Sequence, residues 1–246
     1  MVGARFRVLW TTMAAVCALT THSSSSSVTD NAVYPGQGLF ASKNGEFAQT
    51  CTAAFVVERN DTHARGVLTA GHCLMMGALN VMAKGPATQL GDGDNFLGLS
   101  VSQDSATKDE WERDGAMVAL PSEASYSARV GGMWEVGDTI TERELLANPM
   151  MRVCKLGAVT GLTCGEIVKV TDEFVTVANM RADEDNRISY RGDSGAPMFV
   201  FDGDTVRPMA VVSHGVNRGG SLDPRFVTGQ LIDPLLREWG LSLVPR

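Results

Sequence analysis

The chain has 246 residues, of which 44% are hydrophobic and 20% charged, and its formal net charge at pH 7 is -7. A chain of this length can bury a substantial hydrophobic core. Nucleic-acid binding is not expected, because a phosphate-binding face needs clustered Lys and Arg and the overall balance is acidic.

The first residues predict a signal peptide. Arg5 and Arg7 precede a short apolar run that ends at Leu19, and no acidic residue precedes that end. A positive start followed by a short apolar stretch is typical of a secretory signal, whereas a membrane-spanning helix needs about 20 apolar residues. We assign residues 1–27 to a signal peptide and a polar serine tether, and we expect a secreted, extracellular protein with no membrane span.

From Val33 onward, short apolar runs bounded by turn residues replace any long helical pattern. Such runs predict β-strands, and their spacing predicts an all-β fold. A polar connection near 122–127 divides them into two sets. The predicted strands include 51–57, 66–70, 98–101 and 116–120 in the first set, and 151–154, 166–170, 174–177, 198–201 and 209–213 in the second.

A short helix is predicted near the C-terminus. Asp233 is a good N-cap, Pro234 suits the first helical position, and the segment ends at Gly240. Two charge runs, 142–146 and 183–185, are interpreted as solvated surface.

The cysteines predict disulfide bonds. Of five cysteines, Cys17 lies in the leader, and the even number that remains suggests two bonds in a secreted chain. Four cysteines allow three pairings, and their count does not choose among them. They are Cys51, Cys73, Cys154 and Cys164.

A serine close to two glycines marks a candidate reactive turn. Residues 189–197 are Ser-Tyr-Arg-Gly-Asp-Ser-Gly-Ala-Pro, so Ser194 has Gly192 and Gly195 nearby. Glycine permits backbone angles that a side chain forbids. If Ser194 is a nucleophile, the N–H groups of Gly192 and Ser194 are the natural oxyanion donors. A glycine-rich surface turn, or an adhesion tripeptide at 191–193, are the alternatives.

A serine nucleophile needs a base, and the base needs an orienting carboxylate. The chain has four histidines, and His72 follows the apolar run 66–68, where a strand would deliver it to a barrel edge. Asp114 stands just before the apolar segment 116–120 and is the candidate carboxylate. Its rivals are expected in solvated loops and are Asp92, Asp94, Asp104 and Asp109.

Three motifs in this order resemble those of the trypsin-like (chymotrypsin-fold) serine proteases. Residues 69–73, Thr-Ala-Gly-His-Cys, resemble the family's histidine signature. Residues 192–197 resemble its serine signature, with Ala196 where a third glycine is usual. Residues 153–165 resemble a segment of the bacterial streptogrisin and α-lytic branch. The resemblance extends from about Val33 to the C-terminus.

The resemblance implies an all-β fold of two six-stranded antiparallel β-barrels with a short C-terminal helix. The protease domain would cover 33–246, with barrels at about 33–124 and 125–246. It implies a serine endopeptidase in which Ser194 attacks the substrate, His72 takes the proton and Asp114 orients His72, through an acyl-enzyme. We expect protein or peptide substrates, a monomer, no cofactor and no metal site. The alternative is a catalytically silent homologue that acts as a secreted binding protein.

The family pattern also implies specific contacts. It favours the disulfides Cys51–Cys73 and Cys154–Cys164. It further implies an ion pair between Lys155 and Asp193, which would hold the oxyanion loop in place. Lysine cannot make the bidentate contact that arginine would make at this position.

Substrate recognition is expected from the strand 211–215, which resembles the family's edge strand. Its Ser213, His214 and Gly215 would pair with the peptide backbone, which gives affinity with little sequence preference. Ile188 and Ser189 stand where an ungapped comparison places the pocket floor. No acidic residue stands there, so we expect an apolar P1 side chain in preference to Lys or Arg.

Overall fold

The computed structural model describes residues 32–43, 46–74, 80–83, 95–98, 100–105, 113–122, 124–179, 187–218 and 221–245. The strands of the amino-terminal half are β1 (Gly38–Lys43), β2 (Glu46–Thr52), β3 (Val56–Arg59), β4 (Arg65–Thr69), β5 (Asn80–Ala83), β6 (Asn95–Gly98), β7 (Ser100–Ser105) and β8 (Asp114–Ala119). Those that follow are β9 (Glu135–Val136), β10 (Arg152–Gly157), β11 (Gly161–Val170), β12 (Phe174–Ala178), β13 (Pro197–Asp202), β14 (Thr205–Arg218), β15 (Ser221–Leu231) and β16 (Leu241–Leu243). The predicted signal peptide lies outside the described residues.

The carboxy-terminal half contains a closed six-stranded barrel. Its strands follow the order β13-β10-β11-β12-β15-β14, and a further pairing of β13 with β14 closes the ring. The short β9 adds to β14 in parallel. Buried side chains fill this half, among them Val153, Val175, Met198 and Met209. The barrel expected for this half of the chain is therefore present.

The amino-terminal half forms two sheets in the described residues, with the orders β2-β1-β5-β6 and β16-β3-β4-β8-β7. The expected second closed barrel is therefore not seen in the residues described. The single strand predicted over 51–57 is interrupted at 53–55, where the chain passes from one sheet to the other. At this crossing the N–H of Ala54 donates to the carbonyl of Leu68 at 2.7 Å, so the hydrogen-bond partner belongs to the second sheet.

Helix α1 (Glu142–Ala147) occupies one of the two runs that we interpreted as solvated surface. Thr141 and Glu144 form a reciprocal capping box at its start, which satisfies two backbone donors that would otherwise be unpaired. Leu145 is fully buried and packs in the core of the carboxy-terminal half. The other run, 183–185, lies outside the described residues.

Helix α2 (Ile232–Trp239) confirms the predicted C-terminal helix but begins earlier. Asp233 lies in its first turn and pairs with Arg237 at 2.9 Å, so it is not the N-cap. The extended residue Leu231, at the end of β15, occupies that position without a side-chain cap. Gly240 ends the helix in the left-handed conformation, at φ 61°, which glycine adopts without steric cost.

The C-terminal segment joins the two halves. After α2, strand β16 pairs antiparallel with β3 of the amino-terminal half. Ile232 and Leu236 of α2 share one buried cluster with Phe55, Leu68 and Met117 of that half. This packing fixes strand β8, which begins at Asp114, against the carboxy-terminal half.

Both implied disulfides are present. Cys51 of β2 is bonded to Cys73, and Cys154 of β10 is bonded to Cys164 of β11. A native disulfide typically contributes about 2–4 kcal/mol by restricting the unfolded chain. The first bond ties the segment that contains His72 to the neighbouring sheet.

Candidate active site

His72 is delivered by the end of a buried strand. Strand β4 ends at Thr69, and a 3₁₀ helix follows at Gly71–Cys73. The hydroxyl of Thr69 donates to the carbonyl of Thr52 at 2.9 Å, which anchors the strand end to β2. The side chain of His72 remains 20% exposed, so one edge of its ring is accessible.

Asp114 holds His72 through two hydrogen bonds. The backbone N–H of His72 donates to Asp114 Oδ1 at 2.8 Å, and Nδ1 lies 2.8 Å from Oδ2. An ionised carboxylate only accepts hydrogen bonds, so Nδ1 bears the proton and Nε2 is left as the basic nitrogen. Burial raises the pKa of Asp114, but the hydrogen bonds and charge of His72 outweigh it, and the net pKa lies below its ordinary value of 3.8.

Ser213 and His214 extend this contact into the other half of the molecule. The hydroxyl of Ser213 donates to Asp114 Oδ2 at 2.5 Å. Its oxygen also lies 2.9 Å from Nδ1 of His214. Because the single hydroxyl proton is directed to Asp114, Nδ1 of His214 is the donor in the second bond. Burial lowers the pKa of His214 below its ordinary value of 6.5, against the opposing attraction of Asp114.

Gln230 contacts the backbone of Asp114. Its side chain is fully buried, and Oε1 accepts the backbone N–H of Asp114 at 3.1 Å. Its amide nitrogen donates to the backbone carbonyl and to Oε2 of Glu173, both at 3.0 Å. Gln230 therefore ties the start of β8 to the segment just before β12, across the two halves.

If the chain has the peptidase activity that the resemblance implies, we expect Gln230→Leu to lower its kcat about tenfold with little change in KM. Leucine leaves the buried N–H of Asp114 without its acceptor, which lowers the free energy of unfolding by about 1–3 kcal/mol. It also loosens the Asp114 carboxylate that contacts His72. Steady-state kinetics with a peptide substrate measures both constants. Thr228→Val on the same strand is the matched control, because it removes a hydrogen bond to Thr176 and none to Asp114. Equal kcat values for the two variants would assign Gln230 a purely structural role.

The turn that contains Ser194 adopts the strained geometry that its glycines predicted. Gly192 has φ 98° and Gly195 has φ 87°, a region that residues with a side chain rarely adopt. The N–H of Thr52 donates to the carbonyl of Ser194 at 2.7 Å. Cys73 Sγ lies 3.9 Å from the same oxygen, so the turn packs beside the segment of His72. Ala196, which stands where a third glycine is usual in the family, has no positive φ and is buried.

The N–H groups of Gly192 and Ser194 are among the backbone donors of this turn that stay unused in the described structure. The N–H groups of Asp193, Gly195 and Ala196 donate to backbone carbonyls at 3.0, 2.7 and 2.9 Å. Those of Gly192 and Ser194 donate to no group within the described part of the chain. They are therefore available to an oxygen atom placed beside the turn.

The ion pair between Lys155 and Asp193 is confirmed, at 3.1 Å between Nζ and Oδ2. Both side chains are buried, at 1% and 0% exposure. Four further donors reach the same carboxylate: the N–H groups of Val159, Thr160 and Tyr190 at 3.0 to 3.1 Å, and the Thr160 hydroxyl at 2.6 Å. Burial raises the pKa of Asp193, but Lys155 and these donors outweigh it, and the net pKa lies below 3.8.

A cavity of about 220 Å³ opens beside Ser194. Its walls include the predicted substrate-binding residues Ser189, Ser213, His214 and Gly215. The other lining residues are Arg187, Tyr190, Arg191, Val212, Leu222, Asp223, Pro224 and Phe226.

Ile188, expected at the pocket floor, does not line this cavity. Its side chain is 1% exposed and packs in the core of the carboxy-terminal half. The two neighbouring side chains therefore face different sides: Ser189 faces the cavity and Ile188 faces the core.

Several contacts around the site were not expected from the sequence. Thr160 and Gln230 hold the two buried aspartates, and Arg187 and Arg191 border the cavity. Each contact joins segments that are distant in the chain or depends on how a loop folds. In the sequence, only the two arginines indicated such a contact, because they are cations close to the serine motif.

Other kinds of site have no support within the described residues. The described residues contain no cluster of three or more His, Cys, Asp or Glu side chains that could hold a metal ion. None of the helices described is long and apolar enough to cross a membrane.

Known proteins provide an independent comparison. The sequence model of the Trypsin family matches residues 24–229. No curated protein sequence matches the chain. The fold is similar to that of protease A from Thermobifida fusca (20% identity, TM-score 0.57, covering 87% of this chain and 100% of that one). It is also similar to Nocardiopsis protease (18% identity, TM-score 0.57, covering 86% of this chain and 98% of that one). A third similar structure is Cellulomonas bogoriensis chymotrypsin (18% identity, TM-score 0.56, covering 87% of this chain and 99% of that one).

The fold and the family match define the class of protein as a serine protease with a chymotrypsin-like fold. Because the family match covers most of the sequence, the chain belongs to the trypsin family. It is a serine-type endopeptidase, and its substrates are proteins or peptides.

Proposed function

We propose that this chain is a secreted endopeptidase that cleaves peptide bonds with Ser194 as nucleophile, His72 as general base and Asp114 as the group that orients His72. The observation that carries the proposal is the pair of unused N–H groups of Gly192 and Ser194 beside the candidate nucleophile. Two such donors can stabilise the oxyanion of a tetrahedral intermediate.

In the proposed acylation step, Ser194 Oγ attacks the carbonyl carbon of the scissile bond while its proton moves to Nε2 of His72. The carbonyl oxygen becomes an oxyanion and accepts hydrogen bonds from Gly192 and Ser194 N–H. Asp114 stabilises the imidazolium without taking the proton. The intermediate then collapses, the C–N bond breaks, and His72 gives the proton to the leaving amine.

In the proposed deacylation step, water attacks the acyl-enzyme ester. His72 accepts a proton from this water and returns it to Ser194 Oγ as the ester bond breaks. The products are a carboxylic acid and the free enzyme. All atoms come from the peptide and one water molecule, so the cycle needs no cofactor.

The geometry of β14 supports binding of an extended peptide. On one side, β14 pairs with β15 as far as Arg218. On the other side, its bonding to the serine turn and β13 reaches, among the described residues, as far as Val212, whose N–H donates to the carbonyl of Ala196 at 2.9 Å. We propose that a substrate strand pairs with β14 beyond this point, at Ser213, His214 and Gly215.

The proposed active site lies between the two halves of one protease domain at 33–246. His72 and Asp114 come from the amino-terminal half and Ser194 from the carboxy-terminal half. Secretion is supported by the leader-like pattern of residues 1–20 and by two disulfides, which persist in oxidising compartments. We propose that the protein acts as a monomer.

Labelling with a fluorophosphonate serine-hydrolase probe tests this function. We expect the purified wild-type protein to be labelled at Ser194, mapped by mass spectrometry, because the probe needs an activated serine and an assembled oxyanion site. Ser194→Ala and His72→Ala should not be labelled. A folded, disulfide-bonded wild-type protein that resists the probe would contradict the proposal and favour a silent homologue with a binding role.

A further inference from the structure

Two guanidinium groups border the cavity beside Ser194. Arg187 and Arg191 both line it and are both exposed. The guanidinium carbon of Arg187 lies 5.0 Å from the centre of the Tyr190 ring, a cation–π contact that holds it at the wall. Neither arginine pairs with a carboxylate among the residues that the structure describes.

Among the residues that the structure describes, Asp223 is the single carboxylate that lines the cavity, and Arg225 neutralises it. Nη2 of Arg225 lies 2.7 Å from Oδ2, and Nε lies 2.9 Å from Oδ1. The backbone N–H of Arg225 also donates to Oδ1, at 3.1 Å. Asp223 is therefore held by a bidentate partner, and it does not compensate Arg187 or Arg191.

The remaining wall is neutral. Val212, Leu222, Pro224 and Phe226 supply apolar surface, and Ser189 supplies a hydroxyl. His214 is uncharged at neutral pH because burial lowers its pKa. Among the residues that the structure describes, the net charge lining the cavity is therefore positive, although the whole chain has a formal charge of -7.

We propose that this cavity binds an acidic side chain of the substrate, and that Arg187 and Arg191 determine this specificity. The inference rests on the proposed function, and it places the P1 side chain in this cavity because Ser194 and the proposed peptide-binding residues Ser213, His214 and Gly215 line it. It replaces the apolar P1 side chain expected from the sequence, since the lack of an acidic floor excludes only basic side chains. The arginines supply the charge that selects a carboxylate over a neutral side chain of the same shape.

Kinetics with five peptides that differ only at P1 test the proposal, with Glu, Gln, Leu, Phe or Lys at that position. We expect kcat/KM for Glu to exceed that for Gln at least about tenfold, because a hydrogen bond to a charged group contributes more than one to a neutral group. Added salt should reduce this ratio, because exposed charges are screened. The Lys peptide should be the poorest substrate.

Variants assign the effect to particular residues. Arg187→Gln and Arg191→Gln should each lower the Glu/Gln ratio severalfold, and the double variant should bring it close to one. Arg237→Gln is the matched control, because Arg237 is exposed on α2 and does not line the cavity. Its Glu/Gln ratio should equal that of the wild type.

Faster cleavage after Leu or Phe than after Glu, or an unchanged Glu/Gln ratio in the double variant, would overturn the inference. The labelling experiment separates this failure from that of the proposed function. An enzyme labelled at Ser194 that prefers another P1 side chain has the function without this specificity. An enzyme that is neither labelled nor able to cleave any of the five peptides contradicts both proposals.

Discussion

Replacing Ser194 by alanine is expected to lower kcat for peptide hydrolysis by about 10⁶-fold, the loss measured when a nucleophile of this kind is removed. The methyl group cannot form the acyl-enzyme. The two N–H groups of the turn should still polarise the substrate carbonyl, so hydrolysis should remain about 10³- to 10⁴-fold faster than in water. KM should change little, because the cavity walls are retained. Steady-state kinetics with enzyme free of wild-type contamination measures both constants.

The double variant Ser194→Ala/His72→Ala sharpens this test. If the two residues act as one unit, the second substitution should cost almost nothing after the first. Ser242→Ala is the control: Ser242 is an exposed serine on β16 whose hydroxyl donates to Asn60 Oδ1, and kcat should stay at the wild-type value. If the factor by which kcat falls in the double variant equals the product of the factors for the two single variants, the assignment of His72 as the base for Ser194 is contradicted.

Lys155→Met is expected to have the second-largest effect. It leaves the Asp193 carboxylate buried without its cation, and breaking a buried pair in this way typically costs about 3–5 kcal/mol of stability. Asp193 directly precedes Ser194, so its release should also displace the two oxyanion donors. Loss of one such donor lowers kcat about 10²- to 10³-fold. Urea denaturation measures the stability, and peptide hydrolysis at a low urea concentration measures kcat.

A second variant separates the two effects. Lys155→Met/Asp193→Asn removes the unpaired charge, so part of the stability should return. Its kcat should remain low, because the new amide group cannot accept the N–H of Tyr190 and the hydroxyl of Thr160 as the carboxylate does. Arg59→Met removes the exposed ion pair with Asp61 and should unfold at the same urea concentration as the wild type. A wild-type midpoint and kcat for Lys155→Met would show that the ion pair is dispensable.

Local motifs predicted the parts of the site that depend on neighbouring residues. Gly192 and Gly195 indicated a strained turn because few other residues adopt a positive φ, and the structure has both in that conformation. The pairing of Lys155 with Asp193 followed from the family pattern and is confirmed. The assignments of His72, Asp114 and Ser194 as catalytic residues remain predictions, to be tested by labelling and kinetics.

Other features of the structure could not be predicted from local sequence patterns. Thr141 and Glu144 have the spacing of a capping box, but the charged residues around them led us to predict solvated surface. The structure has a helix there, and its Leu145 is buried. Ile188 and Ser189 are adjacent, and only the packing of the barrel decides which of the two faces the cavity. A shift of one residue along an extended chain reverses the side to which each side chain points.

The amino-acid sequence by itself determined the β-rich class, the serine turn and the C-terminal helix, because each depends on residue types at short, characteristic spacings. The two disulfide pairings followed from the family resemblance. Only the tertiary structure decided how the amino-terminal strands divide into two sheets, and that Gln230 and Ser213 meet Asp114 from another part of the chain. It also decided that Arg187 and Arg191 border one cavity while Arg225 neutralises Asp223. The contacts of Gln230 and Ser213 with Asp114 join segments far apart in the chain, and the charges at the cavity depend on how its walls fold, so only the folded protein sets them.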